Sequence, residues 1–396
     1  MKRSILIASS ILCMVNVAIS QSNQNSASNN QFALDFLKQV SANDKGNVFF
    51  SPTSISIAMG MTFAGAKGVT QDQISKVFHF PSNNKKFHSQ QGGVIKRLTA
   101  KADSIQLSIV NSLWAEQSYP LKSSYRKLIV NTYSATFQSL DFANKFNDCR
   151  MLINDNISKS TNQKINNLLP EGSVNNLTKL ILTNAVYFKA DWRLKFQKDK
   201  TGDANFYLTL ENAIKCKMMG VKKTVNYFED EKIQAVELDY AGNNFSMLIL
   251  LPHQNLLIDD LIKSVTQEYL ESIIKGISKQ EVSVSIPKFK LSVGYQLKPV
   301  LSVMGMPQPF SDNADFRGMS SKKDLKISDV FHKAFVEVNE EGTEASAATA
   351  VVIQMKSILG SEKIFKANRP FIFLIREKST GIVLFLGRMA DPTKSE

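Results

Sequence analysis

The residue types that perform catalysis are thinly spread in this chain of 396 residues. It holds four histidines, His79, His88, His253 and His332. There is no Gly-x-Ser-x-Gly elbow, no His-Glu-x-x-His, no Cys-x-x-Cys and no phosphate-binding glycine loop; Gly92-Gly93 lacks the spacing of one. Carboxylates such as Asp259 and Asp260 occur, but a working acid pair has no linear signature. These residues assign no catalytic group, metal site or cofactor, and they do not support reading the chain as an enzyme.

The stretch with unusual chemistry runs from Glu340 to Ser357. Every second residue from Thr343 (Thr343, Ala345, Ala347, Thr349, Val351, Ile353, Met355) is uncharged. The intervening set is Glu344, Ser346, Ala348, Ala350, Val352, Gln354 and Lys356, charged at both ends. That is the period of a strand with one buried face, grading from small to large. Yet the alanines favour helix, and Gly342 behind an acidic pair reads as an exposed turn. Strand alternation combined with loop punctuation marks a segment built to move.

The elements that must hold this stretch are read from periodicity. Helices are expected over Phe32–Val40, Thr53–Phe63 (with Ile55, Ala58, Met59 and Thr62 on the buried side), Thr70–Phe78, Phe87–Leu98, Tyr125–Tyr133 and Met151–Ile165. Gly65-Ala-Lys-Gly68 ends the second of these, and Gly92-Gly93 weakens the fourth. Ser104–Trp114 alternates like a strand, and Ala135–Phe142 reads as a short extended piece. Thr178–Trp192 and Phe245–Pro252 are continuous apolar strands, and Val282–Leu291 alternates around Pro287. Phe371–Ile375 and Gly381–Leu386 form a hairpin. Helices dominate the first third and strands the last half, with no repeat, linker or composition shift. The expectation is α+β in one large domain spanning 31–396.

The first twenty residues stand apart. Lys2 and Arg3 precede an apolar run to Val17, and Ala18-Ile19-Ser20 is a small-x-small cleavage site, so residues 1–20 read as a signal peptide and the mature chain as secreted. Residues 21–30, polar and rich in Asn and Ser, read as a disordered tail. No later stretch is long and apolar enough to span a bilayer. Cys13 leaves with the leader; Cys149 and Cys216 remain, too few for a disulfide framework, and two free thiols are expected. Asn156-Ile-Ser, Asn176-Leu-Thr and Asn244-Phe-Ser fit the glycosylation pattern, of which two are expected to carry sugar. The formal charge of +13 falls to +11 without Lys2 and Arg3. A secreted basic protein meets anionic polysaccharide more often than nucleic acid.

Nine motifs then align in order with one family. Asn47-Val-Phe-Phe-Ser-Pro-Thr-Ser54, Thr183–Trp192, Ile286-Pro-Lys-Phe-Lys-Leu291, Met304-Gly-Met306, Ala314-Asp-Phe316, Ile327–Ala334, Glu337–Ala350, Phe365–Phe371 and Phe385-Leu-Gly-Arg388 resemble the serpins, over about 31–392. The resemblance implies about nine helices, three β-sheets and an exposed reactive loop at about 340–362. It implies suicide inhibition: a protease cleaves the loop and forms an acyl-enzyme. The cut loop then enters the central sheet as an extra strand.

The family's spacing of fourteen residues from the hinge glycine leads from Gly342 to a reactive bond between Lys356 and Ser357, and the distance to Pro370 resembles that of members with a reactive arginine. Lysine there suits trypsin-like serine proteases as covalent partners; a bond at Met355 would instead suit chymotrypsin- or elastase-like ones. The hinge is Glu340, Glu341, Gly342, Thr343, Glu344, Ala345, Ser346, Ala347, Ala348 and Thr349. Its inward set is small and uncharged and it lacks proline, which favours inhibition over the alternative of a non-inhibitory carrier or binding protein. By motif, Ser51, Ser54, Asn184 and His332 match the family's shutter and Trp192 its breach. Lys85, Lys86, Lys96, Arg97 and Lys101 lie on the helix that binds heparin or another glycosaminoglycan in some members. A monomer is expected, with no nucleic-acid or membrane partner.

Overall fold

The computed structural model describes residues 26–81, 83, 85–100, 105–343 and 363–395. The leader, Lys101, Glu344 to Thr349, Met355, Lys356 and Ser357 lie outside the described residues.

The chain is α+β, with nine α-helices among the described residues. They are α1 (26–43), α2 (Pro52–Gly65), α3 (Gly68–Phe78), α4 (Lys85–Leu98), α5 (Ser123–Tyr133), α6 (Phe142–Ser160), α7 (Ile258–Ser264), α8 (Gln267–Gly276) and α9 (Leu297–Val303). Strands β1 (Val48–Phe50), β2 (Ile105–Glu116), β3 (Thr136–Leu140), β4 (Leu180–Asp191), β5 (Gly202–Tyr207), β6 (Ala213–Glu229), β7 (Ile233–Asp239) and β8 (Phe245–Pro252) come first. They are followed by β9 (Ser278–Pro287), β10 (Phe289–Gln296), β11 (Asp329–Val338), β12 (Gly342–Thr343), β13 (Lys363–Lys366), β14 (Phe371–Glu377) and β15 (Val383–Met389).

One six-stranded sheet runs β10-β11-β12-β4-β2-β3. The other strands form a nine-stranded array, β1-β15-β14-β8-β7-β6-β9-β13, with β5 added on β6. The second and third of the three expected sheets are thus hydrogen-bonded into one. The joint is β6, whose residues 218–227 pair with β9 while 226–229 pair with β7. An apolar core lies between the two sheets: Val186, Phe188 and Ala190 of β4 and Ala334, Val336 and Val338 of β11 pack with Val236, Ile249, Phe371 and Phe373. On the other face of the six-stranded sheet, α6 sets Phe142, Cys149, Ile153 and Ile157 against Ile181, Ala185 and Tyr187 of β4 and Phe331 and Phe335 of β11.

Several local expectations are corrected. Residues 26–30, read as tail, are helical and held. Asn29 Nδ2 donates to the Val383 carbonyl at 3.0 Å, and Asn30 accepts from the Val383 N–H at 2.9 Å and donates to Gly381 O. Their polar side chains complete the end of a strand, which composition alone does not register. The helix expected at Met151–Ile165 begins at Phe142 because the Asp141 carboxylate caps Asn144 N–H at 3.1 Å, and it ends at Ser160. Helix α2 has no single buried side: all but one of its residues are buried. Gly92 does not merely weaken α4. A Cβ there would lie 2.7 Å from Thr132 O, so the glycine is what lets α4 approach α5. Cys149 and Cys216 are buried, unpaired, and sit in separate clusters. Among the described residues no helix is long and apolar enough to cross a membrane.

Candidate functional site

Strands β4 and β11 run parallel and pair from Ile181–Asp329 to Tyr187–Phe335. Beyond that point they part, and β12 fills the gap. Its two residues pair antiparallel with both neighbours, Thr343 with Val338 and Ala190, Gly342 with Asp191. The chain therefore turns back into its own sheet immediately before residue 344. Asn339 makes the reversal: its Oδ1 accepts the N–H groups of Glu341 at 3.0 Å and Gly342 at 3.3 Å. Gly342 is required by space, since a Cβ would meet Ala190 O at 2.2 Å. Thr343 is fully buried, with its hydroxyl 2.7 Å from that of Tyr240. Burial pushes the Tyr240 pKa up, so this phenol is neutral and free to donate.

Trp192 lies at the same point. Its N–H donates to Glu341 O at 2.8 Å, its indole Nε1 donates to Asn339 O at 2.9 Å, and its ring stacks on Tyr240 at 4.6 Å. The acidic pair before Gly342 is not an exposed turn. Glu340 and Glu341 are 5% and 7% exposed. Lys288 Nζ reaches Glu340 at 2.8 Å, and Lys195 and Lys198 reach Glu341 at 2.7 and 3.2 Å. Burial works against ionisation of Glu340, but the Lys288 hydrogen bond and its own backbone N–H hold its pKa below the ordinary value. The Lys195 hydrogen bond, followed by that of Lys198, does the same for Glu341.

Lower in the seam, the sheet is tied from inside. His332 on β11 and Asn184 on β4 are register partners, both fully buried, and His332 Nδ1 hydrogen-bonds Asn184 Oδ1. His332 Nε2 accepts the Ser51 N–H at 3.0 Å, so the proton resides on Nδ1. The Asn184 amide donates to Ser54 O at 3.0 Å and Asn111 Oδ1 at 2.6 Å, and contacts Ser54 Oγ. Ser51 caps α2, its Oγ accepting Ser54 N–H at 3.2 Å, with Pro52 opening the helix. One cluster thereby joins β2, β4, β11 and the start of α2. Burial lowers the His332 pKa to about 3, so the imidazole is neutral.

The remaining assigned residues lie elsewhere. Lys85, Lys86, Lys96 and Arg97 fall on one side of α4 by helical spacing, and Arg97 bridges Glu377 at 3.2 Å. Asn176 and Asn244 are exposed in loops, whereas Asn156 is half-buried within α6. Sequence reasoning missed Asn111, Tyr240, Asn339, Lys195, Lys198 and Lys288. Lys288 and Asn339 stand within the family-like motifs Ile286–Leu291 and Glu337–Ala350, without a role assigned to them there; the others carry no linear signal of their partners.

The geometry defines a sheet whose two central strands part at one end, with a further strand already started in the gap. The chain matches the family described as Serpin (serine protease inhibitor) over residues 27–392. It is 40% identical over 379 residues to human leukocyte elastase inhibitor, covering 93% of this chain and 100% of that one. Among solved structures it is similar to uncleaved ovalbumin (TM-score 0.85, 28% identity, 93% of this chain and 99% of that chain). It is similar as well to mouse protein-Z dependent protease inhibitor (TM-score 0.85, 29% identity, 94% and 98%). The chain belongs to the serpin family.

Proposed function

We propose that this chain is a secreted inhibitor of trypsin-like serine proteases that acts as a suicide substrate through Lys356. The protease serine attacks the Lys356 carbonyl, the bond to Ser357 breaks, the new amine leaves with a proton, and Lys356 stays esterified to the enzyme. The freed segment then extends β12 down the seam and carries the protease with it.

The observation that carries this reading is the register of β12. Continued one residue at a time against β4 and β11, it sets Ala345 between Phe188 and Val336, Ala347 between Val186 and Ala334, and Thr349 between Asn184 and His332. The small uncharged set thus meets the apolar core, and its hydroxyl meets the one polar cluster there. Extension would replace parallel pairing with antiparallel pairing on both sides, which is the more stable ladder. Ile353 would reach Leu180, the first residue of β4, so Lys356 would emerge beyond the sheet, roughly 40 Å from Thr343. Helix α6 packs across this seam and must yield as the strand passes.

The lysine charge suits a specificity pocket with an aspartate at its base. The same reading includes cleavage of the leader after Ser20, sugar at Asn176 and Asn244, and glycosaminoglycan binding by the basic side of α4. Incubation with trypsin tests the core of it. An SDS-stable complex, with a released fragment that begins at Ser357, is expected. Clean cleavage without a complex would make the chain a non-inhibitory serpin, and a fragment beginning at Lys356 would move the reactive bond to Met355.

A further inference from the structure

Away from the seam, the tip of the β5–β6 hairpin, the loop between β8 and α7, and the segment between β13 and β14 meet around a cleft of about 510 Å³. That volume lies within the range of small-molecule sites. Tyr207, Leu208, Leu210, Leu256 and Leu257 line it. Leu210 is 81% exposed, Leu257 67% and Tyr207 40%. Single exposed apolar side chains are ordinary, but three large ones around one concavity are not.

The polar lining is asymmetric in charge. Arg369 is half-buried, with Nε donating to Pro252 O at 2.8 Å and Nη1 to Asn368 Oδ1 at 3.3 Å. Those two bonds fix the plane of the guanidinium and leave donors over. Among the described residues no carboxylate forms an ion pair with it. Burial holds its pKa below the ordinary guanidinium value, yet the group stays charged at neutral pH. Asp259 also lines the cleft, but Lys45 at 2.7 Å and Arg388 at 3.5 Å already neutralise it. The cleft thus holds one oriented, uncompensated cation beside bare leucines.

We propose that this cleft binds a small amphipathic monocarboxylate, its carboxylate on the Arg369 guanidinium and its apolar body against Leu208, Leu210, Leu256 and Leu257. A planar fork with one positive charge matches a carboxylate in shape and charge, and the match is bidentate. A phosphate dianion would leave one negative charge unmet.

Isothermal titration of the full mature chain with decanoate, against neutral decanamide as control, tests the assignment. Decanoate should bind saturably at one site, about tenfold or more tighter than decanamide, the margin of a charge-assisted hydrogen bond. Arg369→Gln should erase the difference, and Arg369→Lys should restore part of it. Leu257→Ser should weaken both ligands several-fold. Equal affinity for the two ligands, unchanged decanoate binding by Arg369→Gln, or no saturable binding would each overturn the proposal. Thermal unfolding checks that the variants fold. If Arg369→Gln does not, the exposed pair Leu210→Glu with Leu257→Glu replaces it: loss of decanoate binding supports the site and retention overturns it.

Discussion

His332 on β11 and Asn184 on β4 stand side by side in the parallel ladder and hydrogen-bond to each other across the seam that a further strand would have to split. Because His332 Nε2 also accepts the Ser51 N–H, protonating the ring would set donor against donor. Its pKa is lowered to about 3, and that of His88, buried between Tyr133 and Asn83, to about 4. Both groups bind protons more readily unfolded, where the ordinary value is near 6.5. Above that value neither contributes to pH dependence. As pH falls below it, each should remove about 1 kcal/mol of stability per pH unit until its folded pKa is reached. Thermal unfolding midpoints at pH 7.5, 6 and 5 should fall more steeply for the native chain than for His332→Gln. Parallel curves would sink the argument.

Thr343→Arg places a charge where the hydroxyl now meets Tyr240 with no solvent. Desolvating an unpaired guanidinium costs several kcal/mol, so the strand should not seat. The variant should be cleaved by trypsin as a substrate without forming the SDS-stable complex. A full yield of complex would show that β12 is not where insertion starts.

Glu340→Lys reverses one side of the Lys288 pair and sets two ammonium groups together beneath the hinge. The replacement removes a carboxylate held in a half-buried ion pair and puts a second ammonium in its place, so the hinge loses stability. Released from its anchor, β12 leaves the seam open to a strand from a second molecule. The unfolding midpoint should drop, and size-exclusion chromatography of the warmed protein should show chains of linked molecules. Adding Lys288→Glu should restore part of the loss, which mere surface disturbance would not.

Lys356→Ala should abolish trypsin inhibition while leaving the unfolding midpoint unchanged. The second-order rate of inhibition is the measurement. An unchanged rate would move the reactive bond away from Lys356.

Where sequence reading reached the fold, it did so through period. Thr178–Trp192 and Phe245–Pro252 are apolar on both faces and correspond to β4 and β8. Period did not reveal β1, β5, β6, β7, β11 or β13 as strands, and in β6 exposed Lys215, Lys217 and Lys222 stand between buried Cys216, Met218 and Val221. Its lysines hid the pattern. Ser51, Ser54, Asn184 and His332, assigned only by resemblance, meet in one cluster, and Asn111 belongs with them. Nothing local to Asn111 distinguishes it from any polar residue in a strand.

By itself, the sequence determined the alternation from Thr343 to Met355, the absence of charge and proline on its inward set, and the position of Lys356. These are properties of neighbours along the chain, and a period of two is written there in full. Only the tertiary structure decided that Gly342 and Thr343 already lie between β4 and β11 and that Glu340 and Glu341 are buried under lysines. It alone joined Tyr240 to Thr343, 103 residues apart, and Lys195 to Glu341, 146 apart. The reason is physical. A linear pattern records which face of an element is apolar, but which strands stand side by side depends on closing long loops and filling one common core.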